Sequence, residues 1–338
     1  MSDFSIGVDL GGTNLRIAAI SKDGQLLEKV TLGTKVAMGR DHVIGEMCDA
    51  IRRLSDQYRR GGSFLGAGIG VPGIIDMETG MLRKSANLPG WSDYPVHSEI
   101  ERRLGTRVFL ENDANVAALG EKWLGAARDV DNMAMVTLGT GIGGGIVLEG
   151  KIFHGMNGMS GEFGHITIEP DGVPCGCGNH GCAERYASAT AVVRMARETI
   201  EAGQAPKLAK AAASSAEFSA KDVYNLAIQG DDAAQRIFQR FGRALGMLLA
   251  DLVNVLNLEM YVIGGGVVSA WDAFAPSMFE ELRERSLVYA ATAPEEPVGR
   301  EVGAAAQIIT RTRRKTIITR ALLGSDAGLF GAARIPAA

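Results

Sequence analysis

The chain has few of the features that would place it at a membrane or on nucleic acid. Over its 338 residues no uninterrupted apolar run approaches the roughly 18 residues that a bilayer-spanning helix needs. The formal net charge is -4, and the densest basic segment, residues 311–315, is short enough to be a solvated turn or helix end. Met1-Ser2-Asp3 leads straight into an apolar strand, so we expect no secretory leader. These absences predict a protein with neither membrane nor nucleic-acid partners.

Cysteine is scarce too, and three of the four cysteines lie close together in one glycine-rich segment. With His165, the thiols of Cys175, Cys177 and Cys182 make the Cys₃His set of a tetrahedral structural zinc site. The alternative is a disulfide, but Cys175 and Cys177 are separated by one residue and three local thiols leave one over. The pattern favours zinc, and thiolates on zinc are typical of the reducing cytoplasm. The remote Cys48 is expected to be a small buried hydrophobe.

Apolar spacing predicts alternating strands and helices. The predicted strands lie at residues 5–19 on both sides of GGTN, and at 25–32, 65–71, 107–110, 132–138, 146–148 and 260–263. The predicted helices lie at residues 43–58, 98–104, 114–124 and 231–256, the third opened by a capping Asp113 in one interpretation. Ser98 with Glu101 predicts a capping box, and Asp231 predicts an N-cap. Residues 202–220 are expected to form a surface excursion.

A strand, a glycine turn and a returning strand occur twice, as DLGGTN near residue 9 and as LGTGIGGG near residue 138. Two halves built alike predict a duplicated α/β fold with a cleft between the halves. Both Gly68–Gly73 and Gly139–Gly144 match G-x-G-x-x-G, but the second is followed by a strand, whereas a dinucleotide fold requires a helix there. No P-loop motif occurs either.

Glycine turns let backbone N–H groups approach an anion closely, because no Cβ intervenes. Each turn carries a threonine, Thr13 or Thr140, that can bond a phosphate oxygen. An ordinary hairpin turn explains either one alone, but the pair together indicates a nucleotide-phosphate site. Asp9 precedes the first turn, and a carboxylate beside phosphate favours an intervening Mg²⁺; the alternative is an Asp that only caps its turn.

Polar residues lie where predicted strands end. Asn112 and Asp113 follow a strand, the position at which open α/β sheets bind ligands, so Asp113 could accept a hydroxyl proton as a phosphoryl group arrives. An N-cap role for Asp113, and a turn-forming role for Asn87, are the alternatives. Together with Glu162 and Glu184, which flank the cysteine-rich segment, these side chains suit a ligand with many hydroxyls.

The motifs DLGGTNLR, GVPGIID, ENDAN, LGTGIGGG, GEFGH and CGCGNHGCAERYAS closely resemble, in this order, the ROK family of sugar kinases and sugar-responsive repressors. The resemblance covers nearly the whole chain. It implies two ribonuclease-H-like (actin/hexokinase-like) α/β domains around an interdomain cleft, with a zinc-bound loop. We place one domain at residues 1–117 with about 320–338, and the other at 118–319.

The resemblance also implies roles for residues of this chain. The catalytic base would be Asp113. The sugar ligands would be Gly73, Asn87, Asn112, Asp113, Glu162, His165 and Glu184. The ATP and Mg²⁺ contacts would be Asp9, Gly11, Gly12, Thr13, Thr140, Gly141, Gly264, Gly265 and Gly266. The zinc ligands would be His165, Cys175, Cys177 and Cys182.

We therefore predict a cytoplasmic, homodimeric kinase that transfers phosphate from ATP to the 6-hydroxyl of a hexose, with glucose favoured. N-acetylmannosamine, another N-acetylhexosamine or fructose is the alternative substrate, and polyphosphate the alternative donor. The repressor branch carries a DNA-binding domain before the DLGGT strand, where this sequence has only eight residues before Asp9, so we do not expect a DNA-binding regulator. A sugar-sensing protein without catalysis is disfavoured because Asp113 is present.

Overall fold

The computed structural model describes residues 2–85, 87–294 and 315–338, so the basic residues 311–314 lie outside the described part of the chain. The described elements confirm the predicted α/β class. The strands are β1 (Phe4–Leu10), β2 (Asn14–Ser21), β3 (Leu26–Gly33), β4 (Phe64–Val71), β5 (Ile74–Asp76), β6 (Met81–Lys84), β7 (Val108–Asn112), β8 (Met133–Leu138), β9 (Ile142–Leu148), β10 (Lys151–Ile152), β11 (Met260–Gly264) and β12 (Ile317–Arg320). The helices are α1 (Arg40–Tyr58), α2 (Val96–Leu104), α3 (Asp113–Trp123), α4 (Ala189–Glu201), α5 (Pro206–Ser214), α6 (Ala220–Ile228), α7 (Asp232–Leu256), α8 (Trp271–Arg285), α9 (Leu287–Thr292) and α10 (Ala327–Ala337).

Two five-stranded sheets share one strand order. The first runs β3-β2-β1-β4-β7 and the second β10-β9-β8-β11-β12, so each places its own strands in the order third, second, first, fourth, fifth. In the first sheet β1 is antiparallel to β2 and parallel to β4, and β4 is parallel to β7. The two strand–glycine turn–strand units are β1–β2 and β8–β9. The repetition predicted from the sequence is therefore present in the topology.

The chain divides into two compact units by its internal contacts. Unit 1 comprises Met1–Met135, Gly145–Gly161 and Ala321–Ala338, and unit 2 comprises Val136–Gly144 and Glu162–Arg320. The C-terminal segment thus packs with the N-terminal residues, while the division along the chain falls within β8 and β9. The division into compact units does not test the predicted domain boundaries, after residue 117 and near 320, and these boundaries stay a prediction.

The first sheet of unit 1 is covered on both faces. One buried apolar cluster packs the side chains of β1, β4 and β7 against α1 and α2. A second cluster joins Ala18 and Ile20 of β2 to Leu329 and Ala333 of α10. Helix α10 also lies so close to α3 that a Cβ on Gly120 would overlap the Ala327 carbonyl oxygen. This packing fixes α3, the helix that begins at Asp113.

Local capping explains where the predicted and observed elements differ. The predicted capping box of Ser98 and Glu101 is wrong, because α2 already begins at Val96 and Glu101 instead accepts the Val108 N–H at 2.9 Å. The N-cap prediction for Asp231 is confirmed by its bond from the Ala234 N–H at 2.9 Å.

Residues 202–220, predicted as a surface excursion, contain α5. Among the described residues, no helix combines the length and apolar character that crossing a bilayer would require.

Candidate active site and metal centre

The junction between β7 and α3 places Asn112 and Asp113 at a strand end. Asn112 is the N-cap: its Oδ1 accepts the N–H groups of Ala114 and Asn115 at 2.9 and 3.2 Å. The alternative in which Asp113 caps α3 is therefore wrong, because Asp113 is the first residue of the helix. Its Oδ1 accepts the Ala114 N–H at 2.9 Å. The positive end of the helix dipole favours an ionised carboxylate there, the form that a general base needs.

Two further candidate sugar ligands lie in the same unit. The Asn112 amide donates to the Gly73 carbonyl oxygen at 3.1 Å, which ties the strand end to the turn before β5. Gly73 has a φ of 121°, a backbone conformation that disfavours any side chain. Asn87 lies beside the first glycine turn, since a Cβ on Gly12 would be 3.1 Å from the Asn87 carbonyl oxygen.

The first glycine turn, residues 11–13, is held by hydrogen bonds to the start of β2 and to the residue that follows β3. Gly11 N–H donates to Asn14 at 2.9 Å, and the Thr34 hydroxyl donates to the Gly11 carbonyl at 2.6 Å. Asp9 lies just before the turn, and its carboxylate binds a side chain of β2 rather than capping the turn. Its Oδ2 pairs with Arg16 Nη1 at 3.0 Å. Burial raises the pKa of the Asp9 carboxyl above its usual value, while Arg16 pulls that pKa down.

Arg16 is a residue that the sequence interpretation missed. The sequence predicted Mg²⁺ beside Asp9, and the structure places a guanidinium there; the Mg²⁺ contact stays a prediction. The signal was available, because Asp9 and Arg16 face each other across the β1–β2 hairpin, and residues directly opposite in an antiparallel pair are within reach of each other.

The second glycine turn, which carries Thr140 and Gly141, belongs to unit 2. Gly139 N–H donates to the Gly141 carbonyl at 3.0 Å and closes the turn. The start of α4 packs against it, with the Thr190 hydroxyl donating to the Thr140 carbonyl at 2.7 Å. The glycines at the end of β11 lie beside the same strand end, because a Cβ on Gly265 would overlap the backbone of Leu138. Gly265 thus lies at the β8 end that leads into Thr140 and Gly141, with Gly264 and Gly266 on either side of it in the sequence.

The four predicted metal ligands converge in unit 2. The ligand atoms of His165, Cys175, Cys177 and Cys182 all lie within 4.8 Å of one another. Cys175 Sγ is 3.7 Å from His165 Nδ1, and Cys177 Sγ is 3.6 Å from Cys182 Sγ. Ligands about 2.3 Å from a tetrahedral zinc are roughly 3.8 Å apart, so these separations fit. The thiols are free, which excludes the disulfide alternative for this structure.

Burial and hydrogen bonding set the state of these thiols. Burial raises the pKa of Cys182 to about 12, with Cys177 and Cys175 adding to the rise. Burial likewise raises the pKa of Cys175, whereas the backbone N–H of Asn179 lowers that of Cys177. Two buried thiols of raised pKa become thiolates most readily when a cation binds between them, because coordination displaces the proton.

The two candidate sugar carboxylates flank the imidazole of the cluster. Glu184 Oε1 lies 3.8 Å from His165 Nδ1 and accepts the Cys175 thiol at 3.2 Å. Glu162 Oε2 lies 3.9 Å from His165 Nε2, on the other side of the ring. A cation held through Nδ1 would therefore leave Nε2–H directed toward Glu162, so the cluster could orient both acids.

The predicted site residues thus form two groups, one in each unit. Unit 1 holds Asp9, Gly11, Gly12, Thr13, Gly73, Asn87, Asn112 and Asp113. Unit 2 holds Thr140, Gly141, Glu162, His165, Cys175, Cys177, Cys182, Glu184, Gly264, Gly265 and Gly266. Cys48, in unit 1, is buried as predicted.

The fold and the site define an α/β protein with a repeated sheet, two glycine turns and a Cys₃His cluster. The profile of the ROK family matches residues 5–336, and the chain belongs to this family. Residues of this chain are 42% identical over 284 positions to a glucokinase from Thermotoga maritima, covering 84% of this chain and 87% of that relative. A glucokinase from Halalkalibacterium halodurans is 37% identical over 334 residues, covering 98% and 94%.

Comparison with solved structures finds the same family. The crystal structure of a ROK family glucokinase from Streptomyces griseus, in complex with glucose and AMPPNP, matches with a TM-score of 0.76 and 31% identity, covering 98% of each chain. Relatives named as xylose repressors and as an N-acetylmannosamine kinase match at 29% to 34% identity.

Proposed function

We propose that this protein is a sugar kinase that transfers a phosphoryl group from ATP to the 6-hydroxyl of a hexose, with glucose as the favoured substrate. The observation that carries the proposal is the β7–α3 junction. There Asp113 starts a helix beside an Asn112 already bound to Gly73, in a chain similar to named glucokinases along most of its length. The similar structure that contains glucose and AMPPNP supports the choice of both substrates.

In the proposed reaction Asp113 acts as the general base. The sugar 6-hydroxyl oxygen attacks the γ-phosphorus of ATP while its proton moves to the Asp113 carboxylate. The bond from phosphorus to the β–γ bridging oxygen breaks, and ADP leaves. Backbone N–H groups of the turns at 11–13 and 139–141 would bind the phosphates, and Gly264–Gly266 would lie near the adenosine. Mg²⁺ bound with ATP, near Asp9, would offset negative charge on the transferred group.

The family resemblance assigns the hydrogen bonds to the sugar to Gly73, Asn87, Asn112, Glu162, His165 and Glu184. A site built to bond several hydroxyls rejects analogues that lack them, since its polar groups would be left unpaired.

Zinc is proposed as a structural ion in the Cys₃His cluster. The donor set and the 3.6 and 3.7 Å separations suit it. When bound, the ion would supply local folding energy and no redox or acid–base chemistry. The Cys175, Cys177 and Cys182 ligands would then fix the loop that carries Glu184.

Domain organisation and assembly are proposed from the family. We propose two ribonuclease-H-like domains, at residues 1–117 with about 320–338 and at 118–319, as the family resemblance implies. We propose further that the protein is a cytoplasmic homodimer that binds neither nucleic acid nor membranes.

A coupled assay with ATP across glucose, mannose, fructose, allose, N-acetylglucosamine and N-acetylmannosamine tests the activity. We expect the highest kcat/KM with glucose and none with 6-deoxyglucose, which lacks the accepting hydroxyl. Faster turnover of N-acetylmannosamine would move the assignment to the alternative substrate, and polyphosphate in place of ATP tests the donor. Sugar binding without turnover of any sugar would favour a regulator, which a sugar-dependent gel shift on DNA would then identify.

A further inference from the structure

Glu111 is a buried carboxylate at the strand end that carries the proposed base. It is 4% exposed and immediately precedes Asn112 in β7. Its Oε1 accepts the Asn112 backbone N–H at 2.9 Å and the Asn115 side-chain amide, also at 2.9 Å. These two donors lie on either side of Asp113. The carboxylate therefore bridges residues 112 and 115, with Asp113 and Ala114 between them.

The other oxygen of Glu111 binds a side chain from a distant part of the sequence. His154 follows β10, and its Nε2 lies 2.7 Å from Glu111 Oε2. The imidazole is more accessible than the carboxylate, with 38% of its side chain exposed against 5%. Because an ionised carboxylate is an acceptor only, Nε2 carries the hydrogen of this bond. The bond raises the pKa of His154 above its usual value, while burial opposes the rise.

A buried carboxylate is costly unless its charge is compensated and its lone pairs are bonded. Asn112 and Asn115 occupy one oxygen of Glu111 but bring no charge. His154 bonds the second oxygen and can bring a positive charge. Without His154, Glu111 Oε2 would lose its hydrogen-bond donor. The carboxylate could then rotate and break its bonds to Asn112 and Asn115.

We propose that His154 is a positioning residue for the catalytic base, acting through Glu111. The inference rests on the proposed function, since it concerns the placement of Asp113 against the sugar hydroxyl. His154 holds the Glu111 carboxylate, and Glu111 holds the backbone and side chain on both sides of Asp113. Glu111 bonds the backbone of the proposed sugar ligand Asn112, but the Asn112 side chain is held separately by the Gly73 carbonyl oxygen. The pair should therefore affect the chemical step more than sugar binding.

The test compares His154→Gln with His154→Asn in steady-state kinetics. A glutamine amide nitrogen reaches about as far as the imidazole Nε2 and can still donate to Glu111, whereas the asparagine amide is too short. Misplacing a reacting group by about 1 Å can cost 10²-fold in rate. We expect His154→Asn to lower kcat by roughly tenfold to 10²-fold with KM for sugar changed less than about threefold, and His154→Gln to restore most of the loss. His42→Asn is the matched control, a half-buried histidine of α1 that pairs with Glu46, and it should keep wild-type kcat.

Thermal unfolding of each variant separates positioning from folding. Equal losses of kcat in the Gln and Asn variants, or a KM effect larger than the kcat effect, would overturn the proposal. So would a wild-type kcat in His154→Asn. Failure of the proposed function is a different result, in which the wild-type protein itself turns over none of the sugars. Should His154→Asn not fold, Glu111→Gln replaces it, with the same expected loss of kcat.

Discussion

Gly141 and Glu184 are so close that a Cβ on Gly141 would lie 2.5 Å from Glu184 Oε2. The other oxygen of that carboxylate accepts the Cys175 thiol at 3.2 Å. The proposed phosphate turn and the Cys₃His cluster therefore meet at one side chain. Glu184 is also a proposed sugar ligand. A group added at Gly141 that displaces Glu184 should therefore weaken the binding of the sugar as well as that of the nucleotide.

Gly141→Ala tests this relationship. The new methyl group would push Glu184 from its position, and we expect KM for the sugar to rise roughly tenfold, the effect of losing about 1.4 kcal/mol of binding. Gly139→Ala is the matched control, since no atom lies within 4 Å of a Cβ at that position of the same turn. Sugar KM, measured at saturating ATP, should rise clearly less in Gly139→Ala. Equal sugar KM values in the two variants would show that Glu184 moves aside without weakening sugar binding.

Metal removal tests the Cys₃His cluster. Metal analysis of the purified protein should give about one zinc per chain, and Cys182→Ser should lose it together with sugar binding. Cys48→Ser is the control, because Cys48 is buried far along the chain from the cluster and should leave the zinc content unchanged. A protein that keeps full activity without any metal would contradict the zinc proposal.

The zinc affinity should also depend on pH in a defined direction. The raised pKa values of Cys175 and Cys182 mean that both thiols release protons when a cation binds. Lowering the pH therefore disfavours binding, and raising it toward the pKa of about 12 favours binding. Competition with a chelator at several pH values measures this trend, and an affinity independent of pH would exclude thiol ligation.

Glu121 should stabilise the attachment of the C-terminal segment to unit 1. It is fully buried, and its carboxylate accepts the backbone N–H groups of Leu322 and Leu323 at 3.0 and 2.8 Å, and that of Ala126 at 2.8 Å. Glu121→Ala leaves these donors unsatisfied, which costs about 1–3 kcal/mol for each that cannot find water. We expect the free energy of unfolding in urea to fall by about 3 kcal/mol. Glu78→Ala, at an exposed position, should change it by less than about 0.5 kcal/mol.

Local patterns made much of the fold and site predictable. Each glycine turn joins two short apolar strands, and its glycines mark clearly where one strand ends and the next begins. Both strand–turn–strand units lie where the sequence indicated. The four ligands of the Cys₃His cluster fall between His165 and Cys182, so chain proximity alone restricts them to a small volume. The ROK family resemblance is likewise confirmed by the family profile.

The residues that escaped prediction depend on tertiary contacts. His154 and Glu111 are 43 positions apart in the sequence and meet only because the segment after β10 packs beside β7. Glu101 looked like a capping residue, but the strand start at Val108 offers its carboxylate a competing N–H. Neither the Glu111–His154 contact nor the bond from Val108 to Glu101 can be predicted from spacing along the chain. Roles such as those of Asn87 and Gly264 stay predictions from the resemblance.

Asp113→Asn tests the proposed base directly. The amide keeps the shape and the bond from Ala114 N–H but cannot accept the hydroxyl proton. Loss of a general base costs roughly 10²–10⁴ in rate, so kcat should fall by that factor. Sugar affinity, measured by equilibrium titration without nucleotide, should change little, because Asn112 and the other sugar ligands remain. Asp56→Asn, at an exposed position on α1, is the isosteric control and should retain full activity. If Asp113→Asn turned over sugar at a near-native rate, the proton would have to leave by another route and Asp113 would be only a ligand of the substrate.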